Sequence, residues 1–133
     1  MLEIVFMGIY MVHASITFWS KGQLQAFLTG TPAIADEDCL RRYKELVRTQ
    51  MYLALGVLSL IIPGVVISVI LVMRHGLIGL GLVLAANAWL FGLGQYHKRW
   101  EVRARGLEAG SDALRREYHE VSEAWVKKPL PTF

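Results

Sequence analysis

Apolar residues gather in three blocks along this chain, 4–19, 51–73 and 76–95, with charged residues crowded between and after them. The first block is short for a span, which takes roughly 17–25 apolar residues, but Leu2 and Ser20 can extend it. Met51 to Met73 is 23 residues, which as a helix is about 34 Å and crosses a bilayer with some tilt. The pattern predicts an all-α integral membrane protein with three transmembrane helices, at about 3–20, 51–73 and 76–96.

The segments between the blocks carry boundary signals. Phe18-Trp19 before Lys21 resembles an interface anchor. An apolar patch (Leu24, Ala26, Phe27, Leu28) leads into Thr29-Gly30-Thr31-Pro32, which predicts a surface-lying segment over 22–35 closed by a turn. Asp36-Glu37-Asp38 predicts a helix start, because carboxylates there accept unpaired N–H bonds and face the positive end of the dipole. Glu37–Arg41 and Asp38–Arg42 would support that helix as i,i+4 pairs, and nothing interrupts it before the second block. Arg74-His75-Gly76 is too short for anything but an antiparallel hairpin. Beyond the third block a charged helix is expected to Gly110, then a break, with Ser111 capping a last helix to about Lys127.

Composition supports a lipid solvent. The chain has 133 residues, 54% of them hydrophobic, above the roughly 45–50% of soluble domains. A single domain of this size cannot hide three such blocks from water. The net charge of +3 comes from bases that flank the blocks, as in membrane anchors, so a nucleic-acid partner is not expected. The opening Met1-Leu2-Glu3 lacks the positive n-region of a signal peptide, and the first helix is expected to be retained. Cys39 is the single cysteine and forms no internal disulfide.

Lys and Arg set the orientation. Five lie in the segment 21–50 (Lys21, Arg41, Arg42, Lys44, Arg48) and eight in the tail 97–133, against Arg74 alone on the other side. That asymmetry predicts the N-terminus outside, with the loop 21–50 and the amphipathic basic tail 97–133 cytosolic, most simply at the inner membrane of a bacterium. The whole of 1–133 then reads as one membrane domain.

Candidate functional residues are few. Gly81, Ala85, Ala88 and Gly92 form a small-residue stripe at spacings of four, three and four, the usual means of close helix approach in lipid. Its plainest use is to seat the second helix. Asn87 lies on another face and would be costly in lipid without a protein partner. The first helix carries Phe6, Tyr10, His13, Thr17 and Ser20 on one stripe. His13, the ionisable group deep in a span, serves as a structural hydrogen-bonding group, as part of a proton or ion path, or as a ligand to haem or chlorophyll; no cofactor at all is the plainer expectation. His13, Ser59 and Asn87 lie at similar depth and suggest a polar layer, which Pro63 would enrich by freeing the Ser59 carbonyl. In the tail, Leu114, Tyr118, Val121 and Trp125 form an apolar stripe expected to dock on a partner protein or on headgroups.

No Walker loop, nucleophile elbow, HExxH or CxxC is present. The reading preferred is therefore a non-catalytic membrane subunit that packs against itself or larger membrane proteins, with the bilayer as its other partner. Two alternatives stand beside it: a homo-oligomeric, holin-like pore, and a small carrier or cofactor-binding subunit built on His13.

Overall fold

The computed structural model describes residues 1–131 and 133. It contains α1 (Leu2–Gly30), α2 (Glu37–His75), α3 (Leu77–Ala104) and α4 (Asp112–Lys127). The first three are long and apolar enough to cross a membrane, and among the described residues there is no strand beyond one isolated bridge.

The boundaries have local causes. Asp36 caps α2 by accepting from the Cys39 N–H at 2.8 Å, and backbone N–H bonds hold its carboxyl below the ordinary carboxylate range. Asp38 takes both nearby guanidiniums, Arg42 at 2.8 Å and Arg41 as well, so the expected Glu37–Arg41 pair is replaced by an i,i+3 pair. α2 then continues without interruption through Pro63 for 39 residues. Gly76 links it to α3 alone, at φ 56, a left-handed conformation that costs glycine little. Ser111 caps α4 by accepting from the Leu114 N–H at 3.3 Å.

Immediately after the hairpin, Gly79 of α3 lies against the backbone of α2. A Cβ at Gly79 would sit 2.5 Å from the Leu71 carbonyl oxygen. From there the inward face of α3 descends through Val83, Ala86, Leu90, Leu93, His97, Trp100 and Ala104, all buried or partly buried. Their alternating spacing of four and three is that of helices packed side by side at a small angle. α1 turns its predicted stripe toward α2 and α3, with Phe6, Tyr10 and Ser20 buried and His13 and Thr17 partly so.

The best-packed core lies at the basic end, outside the most apolar stretches. Leu24, Ile34, Tyr43, Val47 and Ala104 are inaccessible, with Leu40, Tyr118 and Val121 nearly so. By contrast only 6% of the most apolar window of α2, and of α3, is buried. Two expectations are corrected here. The segment from Leu24 does not lie flat on a surface: α1 runs straight through to Gly30, because Leu24 and Phe27 join this core. The tail stripe Leu114, Tyr118, Val121 and Trp125, expected to dock on an outside partner, is instead taken up by its own chain: it folds back on α2 and joins this core.

Polar matching completes this cap. α3 ends at Ala104 rather than near Gly110, and the Tyr118 hydroxyl donates to the Ala104 carbonyl at 2.7 Å while accepting from the Leu107 N–H at 3.0 Å. Burial raises the Tyr118 phenol above its ordinary range, so it stays protonated and able to donate. Tyr43 and Ser122 share a buried hydrogen bond at 2.7 Å. The two interhelical linkers pair as well: the Ile34 N–H donates to Glu108 at 2.8 Å and the Gly110 N–H to Ile34 at 2.9 Å.

The hairpin contact is directly testable. Gly79→Ala drives a methyl group into the Leu71 carbonyl and should cost about 1–3 kcal/mol, the usual range for overpacking. Gly81→Ala, with nothing within 4 Å of its added carbon, should be near neutral in the same denaturant titration of helix content. Equal effects at the two positions would mean that the helices do not meet at Gly79.

Candidate functional site

Two groups of polar side chains lie between the three long helices. The first sits where the apolar spans give way to polar sequence. Ser20 of α1, Gln50 of α2 and His97 of α3 each occupy the polar end of a span, and the antiparallel hairpin brings those ends together.

The proton accounting of this cluster is determined by its geometry. The Gln50 amide donates through Nε2 to the Ser20 carbonyl at 3.2 Å, which can only accept. That orients the amide, so Gln50 Oε1 receives the Ser20 hydroxyl proton. His97 Nε2, 2.6 Å from Ser20 Oγ, must then be the donor to that oxygen. In this arrangement the imidazole donates to Ser20 Oγ, and the three side chains clamp the helices together. Gln50 Nε2 also lies 3.5 Å from Gln23 Oε1. Ser20 and Gln50 are almost fully buried. A cavity of about 280 Å³ opens beside the clamp, lined by Leu53, Val57, Glu101 and Trp125 among others. Around the same level Lys21 lies over the Tyr96 ring at 4.6 Å, and Arg103 over Trp100 at 5.3 Å.

The second group lies deeper in the spans. Asn87 of α3 donates from Nδ2 to the Tyr10 hydroxyl at 2.9 Å and to the Val83 carbonyl at 2.8 Å. His13 and Asn87 line one cavity of about 660 Å³, together with Tyr10, Gly64 and Ser68. Thr17 donates to the His13 carbonyl, not to its ring.

The predicted polar layer is thus redrawn. His13 and Asn87 share a cavity, but Ser59 does not reach it: its hydroxyl donates to the Gly56 carbonyl at 2.7 Å on the exposed side of α2. Tyr10 and Ser68 take its place. The small-residue stripe is also corrected as the seat of the second helix. Gly81, Ala85, Ala88 and Gly92 are all exposed, and nothing lies within 4 Å of a Cβ built at Gly81 or Gly92. The inward face is the one that begins at Gly79, a rotation away. Among the described residues no cluster of His, Cys, Asp or Glu has the makings of a metal site.

Sequence reasoning missed Gln50 and His97. Their signal was available: each is the polar residue bordering an apolar block, and the hairpin topology implies that these borders coincide with Ser20. Comparison with protein-family models, with curated proteins and with solved structures returns no match, so the reading of function rests on this geometry.

The clamp should behave as a unit. Gln50→Leu takes away the acceptor of the buried Ser20 hydroxyl proton and the second bond to the Ser20 carbonyl, and should cost about 1–3 kcal/mol. Combined with Ser20→Ala, the loss should fall short of the sum of the single losses, with a coupling of roughly 0.5–3 kcal/mol. Strict additivity in reversible detergent unfolding would rule out the shared bond.

Proposed function

We propose that the chain is a small non-catalytic membrane subunit that packs against itself or against larger membrane proteins. In this reading α1, α2 and α3 span the inner membrane of a bacterium. The N-terminus lies outside, and the compact basic cap formed with α4 lies in the cytosol. The positive-inside distribution of Lys and Arg supports that orientation.

One observation carries the subunit reading. The face of α3 bearing Gly81, Ala85, Ala88 and Gly92 is free in the protomer, since α3 is seated by its other side. In lipid no hydrophobic force draws helices together, and a smooth face of small residues favours a neighbouring helix because the two backbones approach closely there. The exposed flank of the protomer otherwise carries large apolar side chains such as Ile62, Leu84 and Phe91, which suit lipid tails. A pore-forming assembly is favoured less, because the polar residues of the spans are isolated and form no continuous polar face.

Orientation is tested in a Cys39→Ser background. Single cysteines replacing Leu2 and His75 should react with a membrane-impermeant maleimide in intact cells. One replacing Leu130 should react only after lysis, and its labelling in unbroken cells would reverse the topology.

Assembly is tested by tagging the chain, extracting it in mild detergent and identifying what co-purifies by mass spectrometry. The expected result is a stable complex, with itself or with a larger membrane protein, that Ala85→Leu and Ala88→Leu disrupt while Val83→Leu, inside the protomer, acts through its folding. A monomer whose behaviour is unchanged by the stripe variants would overturn the reading.

A further inference from the structure

The intramembrane cavity holds hydrogen-bonding capacity that the chain itself does not use. The Asn87 amide is oriented by the Val83 carbonyl, which can only accept, so Nδ2 faces Val83 and spends its two hydrogens on Val83 and Tyr10. Asn87 Oδ1 is left an acceptor with no donor among the described residues. Tyr10 accepts from Asn87, and its own hydroxyl proton has no acceptor among them either. An unspent donor and an unspent acceptor therefore lie side by side, on residues joined by a 2.9 Å bond. The His13 ring, also without a hydrogen-bond partner among the described residues, lines the same space.

Such capacity is costly at the depth of lipid tails, where water is scarce and an unmatched polar group carries its full desolvation penalty. The surroundings are shaped for an apolar body. The cavity, about 660 Å³, falls in the size range of small-molecule sites, roughly 300–1,000 Å³. Gly64 widens it by omitting a side chain opposite Ile9. Its rim is formed by Ile61, Val65, Val69 and Phe91, all exposed, so it opens on the lipid-facing side of the protomer.

We propose that this cavity binds a membrane-soluble alcohol or phenol: a hydroxyl on an apolar body that enters sideways from the bilayer. The hydroxyl accepts from the Tyr10 O–H and donates to Asn87 Oδ1, closing a ring of three hydrogen bonds with the Asn87–Tyr10 pair. A carbonyl head meets only the Tyr10 donor, and an ammonium head meets only the Asn87 acceptor while adding a charge. A hydroxyl is the smallest group that meets both. The His13 ring is placed to contact the same head. This inference is independent of the subunit reading, because it concerns the groove between α1, α2 and α3 and not the stripe.

The test uses the whole chain reconstituted in phosphatidylcholine vesicles, with an alkyne-tagged hexadecanol carrying a diazirine as the probe. Photolabelling should concentrate on the peptides bearing Ile9, Val83 and Phe91. Excess unlabelled hexadecanol should displace it, 2-hexadecanone only weakly, and hexadecane not at all. Tyr10→Phe combined with Asn87→Leu should lower the labelling at least fivefold, as should Gly64→Leu, which fills the space without touching a polar group. Helix content and yield of each variant identify those that fold. If the double variant does not, Gly64→Leu and Tyr10→Phe alone carry the comparison. Labelling spread evenly over all lipid-facing residues would overturn the proposal. So would equal displacement by hexadecane, or unchanged labelling in folded variants. Crosslinking that finds a partner's helix seated at Ile61 and Phe91 would assign the groove to that helix and overturn it too. Loss of the stripe-dependent complex, with labelling intact, would defeat the subunit reading alone.

Discussion

Wherever these helices leave water an unmatched polar group is costly, and the Gln50 amide is where that constraint is met most completely inside the chain. It donates to a carbonyl of α1, accepts from a hydroxyl of α1, and through that hydroxyl reaches His97 of α3. One side chain on α2 thereby links three helices at a single level. The level is the border between apolar and polar sequence, where a bond is sheltered enough to matter and the helices are about to diverge into their linkers. The lateral relations of α1, α2 and α3 follow from this border together with the contact of Gly79 on Leu71 at the other end.

Between those two fixed points the helices are loosely joined, and the reason is the solvent. In water, burying a Leu or Tyr side chain stabilises a fold by roughly 1.5–3 kcal/mol; in lipid that gain vanishes because the tails are as apolar as the side chains. The chain therefore concentrates its close packing at the basic end, where Leu24, Ile34, Tyr43, Val47 and Val121 escape water. α4 is strongly amphipathic in sequence for the same reason: it covers that core, and Tyr118 closes the open end of α3 by bonding Ala104 and Leu107. In the spans, where packing returns little, space is left. The cavity beside His13 and Asn87 is a consequence of this division, as is the free stripe on α3.

Much of the architecture could be read from the chain alone. Block length and hydropathy indicated three long helices, Asp36 and Ser111 marked two helix starts, and Gly76 with its two neighbours implied the hairpin. The inward stripe of α1 was also legible, because Phe6, Tyr10, His13, Thr17 and Ser20 stand out from purely apolar neighbours. These are local properties. They follow from periodicity, capping and the conformational freedom of one glycine, which depend on residues a few positions apart.

What only the tertiary structure decided is which side of each helix faces protein. On α3 two stripes compete, one through Gly81, Ala85, Ala88 and Gly92 and one through Gly79, Val83, Ala86 and Leu90. They lie on nearly opposite sides of the helix at about 100° per residue, and both are apolar, so hydropathy cannot rank them. The choice is made by Gly79 meeting Leu71 across the hairpin and by His97 meeting Ser20 from the far end of the chain's apolar half. Ser59 was assigned to the polar layer by depth alone, yet its azimuth on α2 turns it outward. The tail stripe was visible as amphipathic, but its partner was not, since an apolar face specifies what it avoids and not what covers it. Depth and amphipathicity are written in the sequence because water and lipid act on each residue separately; rotation and partnership are not, because they arise from pairs.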